Sequence, residues 1–110
     1  MVTTSSPFGG ATRTRVLLAL RLLADSYPRE LARIIGASLS GVQNALRGLE
    51  RDGLVAGRSV GRTRVFRINP RYFARADLER YLLRLTEPET ELRRRIDALR
   101  RRPRRTGKPL

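Results

Sequence analysis

From Glu30 to Val55 the chain reads ELARIIGASLSGVQNALRGLERDGLV. Leu31, Ala32, Ile34 and Ile35 recur at helical spacing, and the pattern stops at Gly36. Pro28 suits the first position of that short helix, because its ring presets φ and its missing N–H has no partner there anyway. Gly36-Ala37 predicts a tight turn, since glycine enters the left-handed region without a β-carbon penalty. Ser38 is then a good N-cap for a third helix that runs to about Asp52 and stops at Gly53. Val42, Ala45, Leu46 and Leu49 form its inward stripe, which leaves Ser40, Gln43, Asn44 and Arg47 pointing outward. Ala32 is small where the two helices cross.

Upstream, Val16, Leu17, Leu20, Leu23 and Ala24 predict a first helix to about Asp25, with Thr12 as its N-cap and Ser26-Tyr27 as a short extended link. Residues 1–11 read as a loose arm whose Phe8 could dock on the core. Downstream of Gly53 the apolar period changes from 3.6 to 2. Leu54-Val55-Ala56 starts a strand, residues 59–62 make a turn, and Thr63 to Ile68 form a second strand with Phe66 and Ile68 on one face. Asn69-Pro70 breaks the pattern. A fourth helix is expected from about Ala74, and Thr86 with Glu89 reads as a capping box for a fifth. The fold class expected is mainly α with a small β-hairpin wing (α+β).

Residues 30–55, with the continuation Gly61 to Pro70, closely resemble the winged helix-turn-helix transcriptional regulators of the ArsR/MarR type. Those proteins show a Leu-Ala pair on the second helix, a Gly turn, a Ser-capped recognition helix, then Val…Leu…Leu-Glu…Gly-Leu-Val. The resemblance spans about residues 12–73. It implies a winged helix-turn-helix at 12–73 with C-terminal helices at 74–102, a recognition helix at about 38–52 in the major groove, and a wing at about 54–68 on the minor groove or backbone. Ser38, Ser40, Gln43, Asn44 and Arg47 become candidate DNA contacts, because the N-terminal half of such a helix reaches base edges. Gln and Asn pair with adenine and Arg with guanine, each good pair giving about 1–3 kcal/mol of discrimination. Arg58, Arg62 and Arg64 on the wing are candidates for the minor groove, where potential is most negative. Arg13, Arg15 and Arg29 suit either flanking phosphates or a solvated face.

Leu78, Tyr81, Leu82, Leu85, Leu92, Ile96 and Leu99 make a coiled-coil-like stripe across the last two helices, interrupted near Pro88. It reads as a homodimer interface, with packing onto the rest of the same chain as the alternative.

The 110 residues carry 24 basic and 10 acidic groups, for a formal charge of +14, and 23 of the cations are arginine. A polyanionic partner is expected, double-stranded DNA first. The excess is uneven. Residues 1–69 hold 11 basic and 4 acidic groups, residues 70–97 hold 7 and 6, and residues 98–110 hold 6 and none. Residues 103–110 read as a basic disordered tail, either a phosphate tether or a solvated end.

With no Cys and no His, thiolate or imidazole metal sites, Ser-His-Asp chemistry and disulfides are excluded. The chain therefore departs from the Cys- and His-based metal sensing of many ArsR-type proteins, and no metal, cofactor or enzymatic activity is expected. The longest apolar run, Val16 to Leu20, is too short for a membrane span of about 20 residues, and Met1 to Gly10 lack a signal-peptide pattern. A cytoplasmic, nucleoid-associated protein is expected, with no membrane partner; no ligand pocket is legible, which leaves three options: no effector, one bound between domains, or another protein. The alternative is a winged-helix adaptor for protein interaction with a non-specific basic tail. An apolar patch on the recognition face would favour it.

Overall fold

The structure, a computed structural model, describes residues 8–101. The expected arm (1–11) and tail (103–110) lie outside the described residues, except for residues 8–11. Five helices and one hairpin follow one another as α1 (Ala11–Leu23), α2 (Pro28–Ile35), α3 (Leu39–Arg51), β1 (Val55–Val60), β2 (Thr63–Ile68), α4 (Arg75–Thr86) and α5 (Thr90–Arg101). The chain is thus mainly α with a small two-stranded sheet, as its sequence predicts.

Val16, Leu17, Leu18, Ala19 and Leu20 are all buried, so α1 is covered on every side rather than along one stripe. It packs against α2, α3, α4, α5 and β2. The expected apolar set Val16, Leu17, Leu20, Leu23 and Ala24 is corrected here: Leu18 and Ala19 are buried as well and Ala24 is exposed, so the run of five apolar residues marks a central helix. Its start also differs. Gly10 occupies the N-cap position, Thr12 lies inside the helix, and Thr14 Oγ1 donates to the Gly10 carbonyl at 2.8 Å. The helix ends at Ala24, whose φ of 77° is a rare conformation for a residue with a β-carbon.

Ser26 exchanges backbone hydrogen bonds with Phe66, at 3.0 and 2.7 Å, so the link before α2 adds a bridge to the hairpin. Pro28 takes the first turn of α2, and Gly36 ends it in the left-handed conformation. Gly36 N–H and Ala37 N–H both donate to the Ala32 carbonyl. Ser38 caps α3 by accepting from the Gly41 amide at 3.0 Å. β1 and β2 pair antiparallel from Val55↔Ile68 to Val60↔Thr63 around Gly61-Arg62. Asn69 secures the exit, donating from its backbone to Leu54 and from its side chain to Gly53.

Thr86 does not open the fifth helix. It is the last residue of α4, and its hydroxyl donates back to the Leu83 carbonyl at 2.6 Å, while the Glu89 amide donates to the Thr86 carbonyl. Both side chains are buried at the corner, so the capping-box reading gives way to a tight α4–α5 turn. Leu78, Leu82, Leu92 and Ile96 lie within the one hydrophobic core, together with α1 and α3. Burying such side chains stabilises the fold by about 1.5–3 kcal/mol each. The expected dimer stripe is therefore redrawn. These four face inward in the single chain, Leu85 and Leu99 are partly buried, and Tyr81 is exposed. Periodicity identified the apolar face but not the surface that covers it.

Three arginines tie the C-terminal helices to the others through main-chain carbonyls. Arg21 Nε of α1 donates to Glu79 O at 3.0 Å, Arg95 Nη1 of α5 to Ile34 O at 2.9 Å, and Arg100 to Leu22 O. Leu22 and Ile34 are among the last carbonyls of their helices, which have no intrahelical donor, and a guanidinium suits them in charge and geometry; Glu79 lies inside α4. Among the described residues, no helix is long and apolar enough to cross a membrane.

Candidate nucleic-acid interface

The outward face of α3 borders an open cleft of about 610 Å³, bounded by α3, β2 with its turn, and the start of α2. Gln43 and Arg47 line it from α3, Arg62, Thr63 and Arg64 from the hairpin, and Arg29 from α2. Four guanidinium groups thus border one concavity, where their fields add. Its floor is apolar, made by Leu39, Leu46 and Phe66.

Placement of the expected contact residues is uneven. Ser40, Gln43, Asn44, Arg47 and Arg62 are exposed. Arg47 donates to Asn44 Oδ1 one helical turn back, so these two form a joined donor–acceptor unit in the free chain. Ser38 is exposed, but its hydroxyl oxygen already accepts from the Gly41 amide.

The hairpin arginines separate by face. The β pairing alternates, so Arg64 shares the inner face with Phe66 and Ile68, whereas Arg58 shares the outer face with Val65 and Arg67. Arg58, paired with Val65 in the middle of the hairpin, lies 3.7 Å from Asp25 and does not line the cleft. Arg64 donates to Glu50 at 3.2 Å and stacks over Phe66, 5.2 Å from the ring centre. Gly57 makes this packing possible. A β-carbon there would lie 2.7 Å from Arg64 Nη2 and 2.8 Å from Phe66.

Arg13 also departs from the phosphate-facing option. It spans from α1 to Asp52 at the end of α3, at 2.5 Å, and passes over Gly48. Sequence reasoning missed Glu50 and Tyr27 as members of the cleft. Glu50 lies seven residues beyond Gln43, two helical turns along the same face, and that spacing was a usable signal. Tyr27 carried none beyond its position before Pro28.

No protein-family model matches the sequence, and no curated protein matches it. Solved structures match the fold. The adhesin competence repressor AdcR of Streptococcus pyogenes superposes with a TM-score of 0.61 at 16% identity, over 79% of this chain and 64% of that one. A double mutant of ZitR from Lactococcus lactis superposes with a TM-score of 0.59 at 14% identity, over 89% of this chain and 68% of that one. The fold is a winged helix-turn-helix. In that frame α2 and α3 are the helix-turn-helix, β1 and β2 are the wing, and α4 and α5 follow it. The chain spans just under two thirds of the length of AdcR.

Proposed function

We propose that this winged-helix chain is a sequence-specific, double-stranded DNA-binding transcriptional regulator of the ArsR/MarR-like type, without enzymatic activity. The observation that carries the reading is the cleft in which Gln43 and Arg47 of α3 stand opposite Arg62 of the wing and Arg29 of α2. α3 supplies base readout from the major groove through Gln43, Asn44 and Arg47, and the Ser38–Ser40 start of the helix meets phosphate. Arg62 follows the backbone or enters the minor groove. Arg64 supports the wing against α3, and Arg58 is at most a peripheral contact.

The active form is a homodimer, so that two α3 helices meet half-sites one DNA turn apart. Tyr81 and Leu85, one turn apart on α4, with Leu99 on α5, supply its surface; Tyr81 is 43% exposed and the two leucines are partly buried. The protein works in the cytoplasm on the nucleoid, with no metal or cofactor, and the segment after Arg101 adds a non-specific phosphate tether.

Fluorescence anisotropy with selected and random duplexes over a salt series tests the proposal. A regulator keeps tight binding to one short pseudo-palindromic site. Equal affinity for every duplex, lost near physiological salt, would leave only a polyanion tether.

A further inference from the structure

We propose that Arg95 is a positioning residue for the DNA-reading helix: anchored by Glu91 on α5, it braces the α2–α3 turn and fixes how α3 is seated on the rest of the chain. The inference rests on α3 being the DNA-contacting helix.

The guanidinium is used on two sides. Nε donates to Glu91 Oε2 at 3.0 Å, and Nη1 donates to the Ile34 carbonyl at 2.9 Å. Glu91 is one turn earlier on α5, so it holds the side chain extended toward α2. Ile34 O is among the last carbonyls of α2, and the next free amides, those of Gly36 and Ala37, are both committed to Ala32 O. Arg95 therefore satisfies an acceptor that the turn cannot serve itself. The same Nη1 lies 3.8 Å from where a β-carbon on Gly36 would sit, so the guanidinium stands beside the turn. Ser38 and the start of α3 follow within two residues.

A planar fork holds two acceptors in fixed directions, which a lysine ammonium does not. Arg95 is 61 residues from Ile34 in sequence, so the brace couples α5 to the helix-turn-helix directly. Any event that moves α5, including association through α4 and α5, then reaches α3 by this bond.

The alternative is that Arg95, whose side chain is 44% exposed, touches DNA phosphate itself. Full-length R95M and E91A separate the two. Without DNA, amide hydrogen exchange in R95M is expected to rise at residues 36–42 and to match wild type in α1 and α4. No change at 36–42, or an equal rise throughout, overturns the brace. With duplex DNA, R95M is expected to bind about 2- to 30-fold more weakly with an unchanged salt slope. A slope reduced by about 0.9 marks a lost phosphate contact and overturns it. E91A supplies a test of sign. Removing an acid near DNA strengthens binding by charge alone, whereas losing the brace weakens it, so equal or tighter binding by E91A overturns the proposal. If wild type binds no duplex selectively, the functional reading fails while the exchange measurement still judges the brace.

Discussion

Arg64 of the wing donates to Glu50 of α3 at 3.2 Å while its guanidinium lies over the Phe66 ring, so an acid on the cleft wall is matched by the cation that faces it. Exposed pairs of this kind contribute about 0–1 kcal/mol to stability. The larger consequence is electrostatic, because an unpaired Glu50 would repel a phosphate backbone. E50Q is therefore expected to bind random duplex more tightly and to steepen the salt slope by about 0.9 as Arg64 is released, measured by anisotropy. R64A is expected to weaken binding more than R58A, since it also uncovers Glu50. Equal effects of the two would refute the pairing's role.

Arg47 and Asn44 are joined in the free chain. R47A is expected to lose about 1–3 kcal/mol of discrimination at one base position and so to broaden the set of sites recovered by selection and sequencing. R104A is expected to weaken all duplexes alike. A broadened site set in R104A, or an unchanged one in R47A, would reverse this assignment.

Ala24 ends α1 at φ 77°. A β-carbon is strained there, and glycine is not. A24G is expected to stabilise the fold by about 0.5–1 kcal/mol, after allowing for the extra entropy of glycine in the unfolded chain. The readout is a Tm raised by a few degrees in thermal unfolding. A lower Tm would mean that the methyl group contributes more than the strain costs.

Leu82 and Tyr81 are neighbours on α4 with opposite surroundings: Leu82 is fully buried and Tyr81 is 43% exposed. L82A is expected to destabilise the chain by about 2–5 kcal/mol whatever the protein concentration. Y81A is expected to leave stability at high dilution nearly unchanged and to weaken dimerisation in sedimentation experiments. A concentration-dependent effect of L82A would place it between chains instead.

The Glu91 carboxyl is held below its ordinary value of 4.5 chiefly by the Arg94 hydrogen bond, with partial desolvation opposing and Arg95 assisting. Its folded-state pKa is depressed, so its contribution is present above the unfolded value and lost as pH falls through the folded one. E91Q is expected to be less stable than wild type near neutrality, with the difference in urea midpoint vanishing in acid. A difference that persists at low pH would assign the loss to packing.

The helix-turn-helix was legible because its signals are local. Pro28, Gly36 and Ser38 each act on backbone atoms within a few residues, and the structure uses all three as expected. The hairpin was legible from the alternation ending in Phe66 and Ile68, but its turn is tighter than expected, because Ser59 and Val60 pair with Arg64 and Thr63 and leave only Gly61-Arg62. What escaped depends on distance in three dimensions. Glu50 and Arg64 meet only once the wing folds against α3. Leu78, Leu82, Leu92 and Ile96 present the same stripe whether the covering surface is α1 or a second chain. Thr86 and Glu89 fit a helix start by spacing, yet their burial places them in a corner. The arginine count suggested a polyanionic partner, but the count does not show that Arg13, Arg21, Arg95 and Arg100 bind groups within the protein.

Those internal arginine bonds have a consequence for chemical control. The links from Arg21, Arg95 and Arg100 to carbonyl oxygens are made by guanidinium groups, which are not the targets of lysine acylation. The single lysine of the chain, Lys108, leaves lysine acylation one target. The positive charge rests almost wholly on arginine, so acetyl transfer to lysine lowers it by one unit at most.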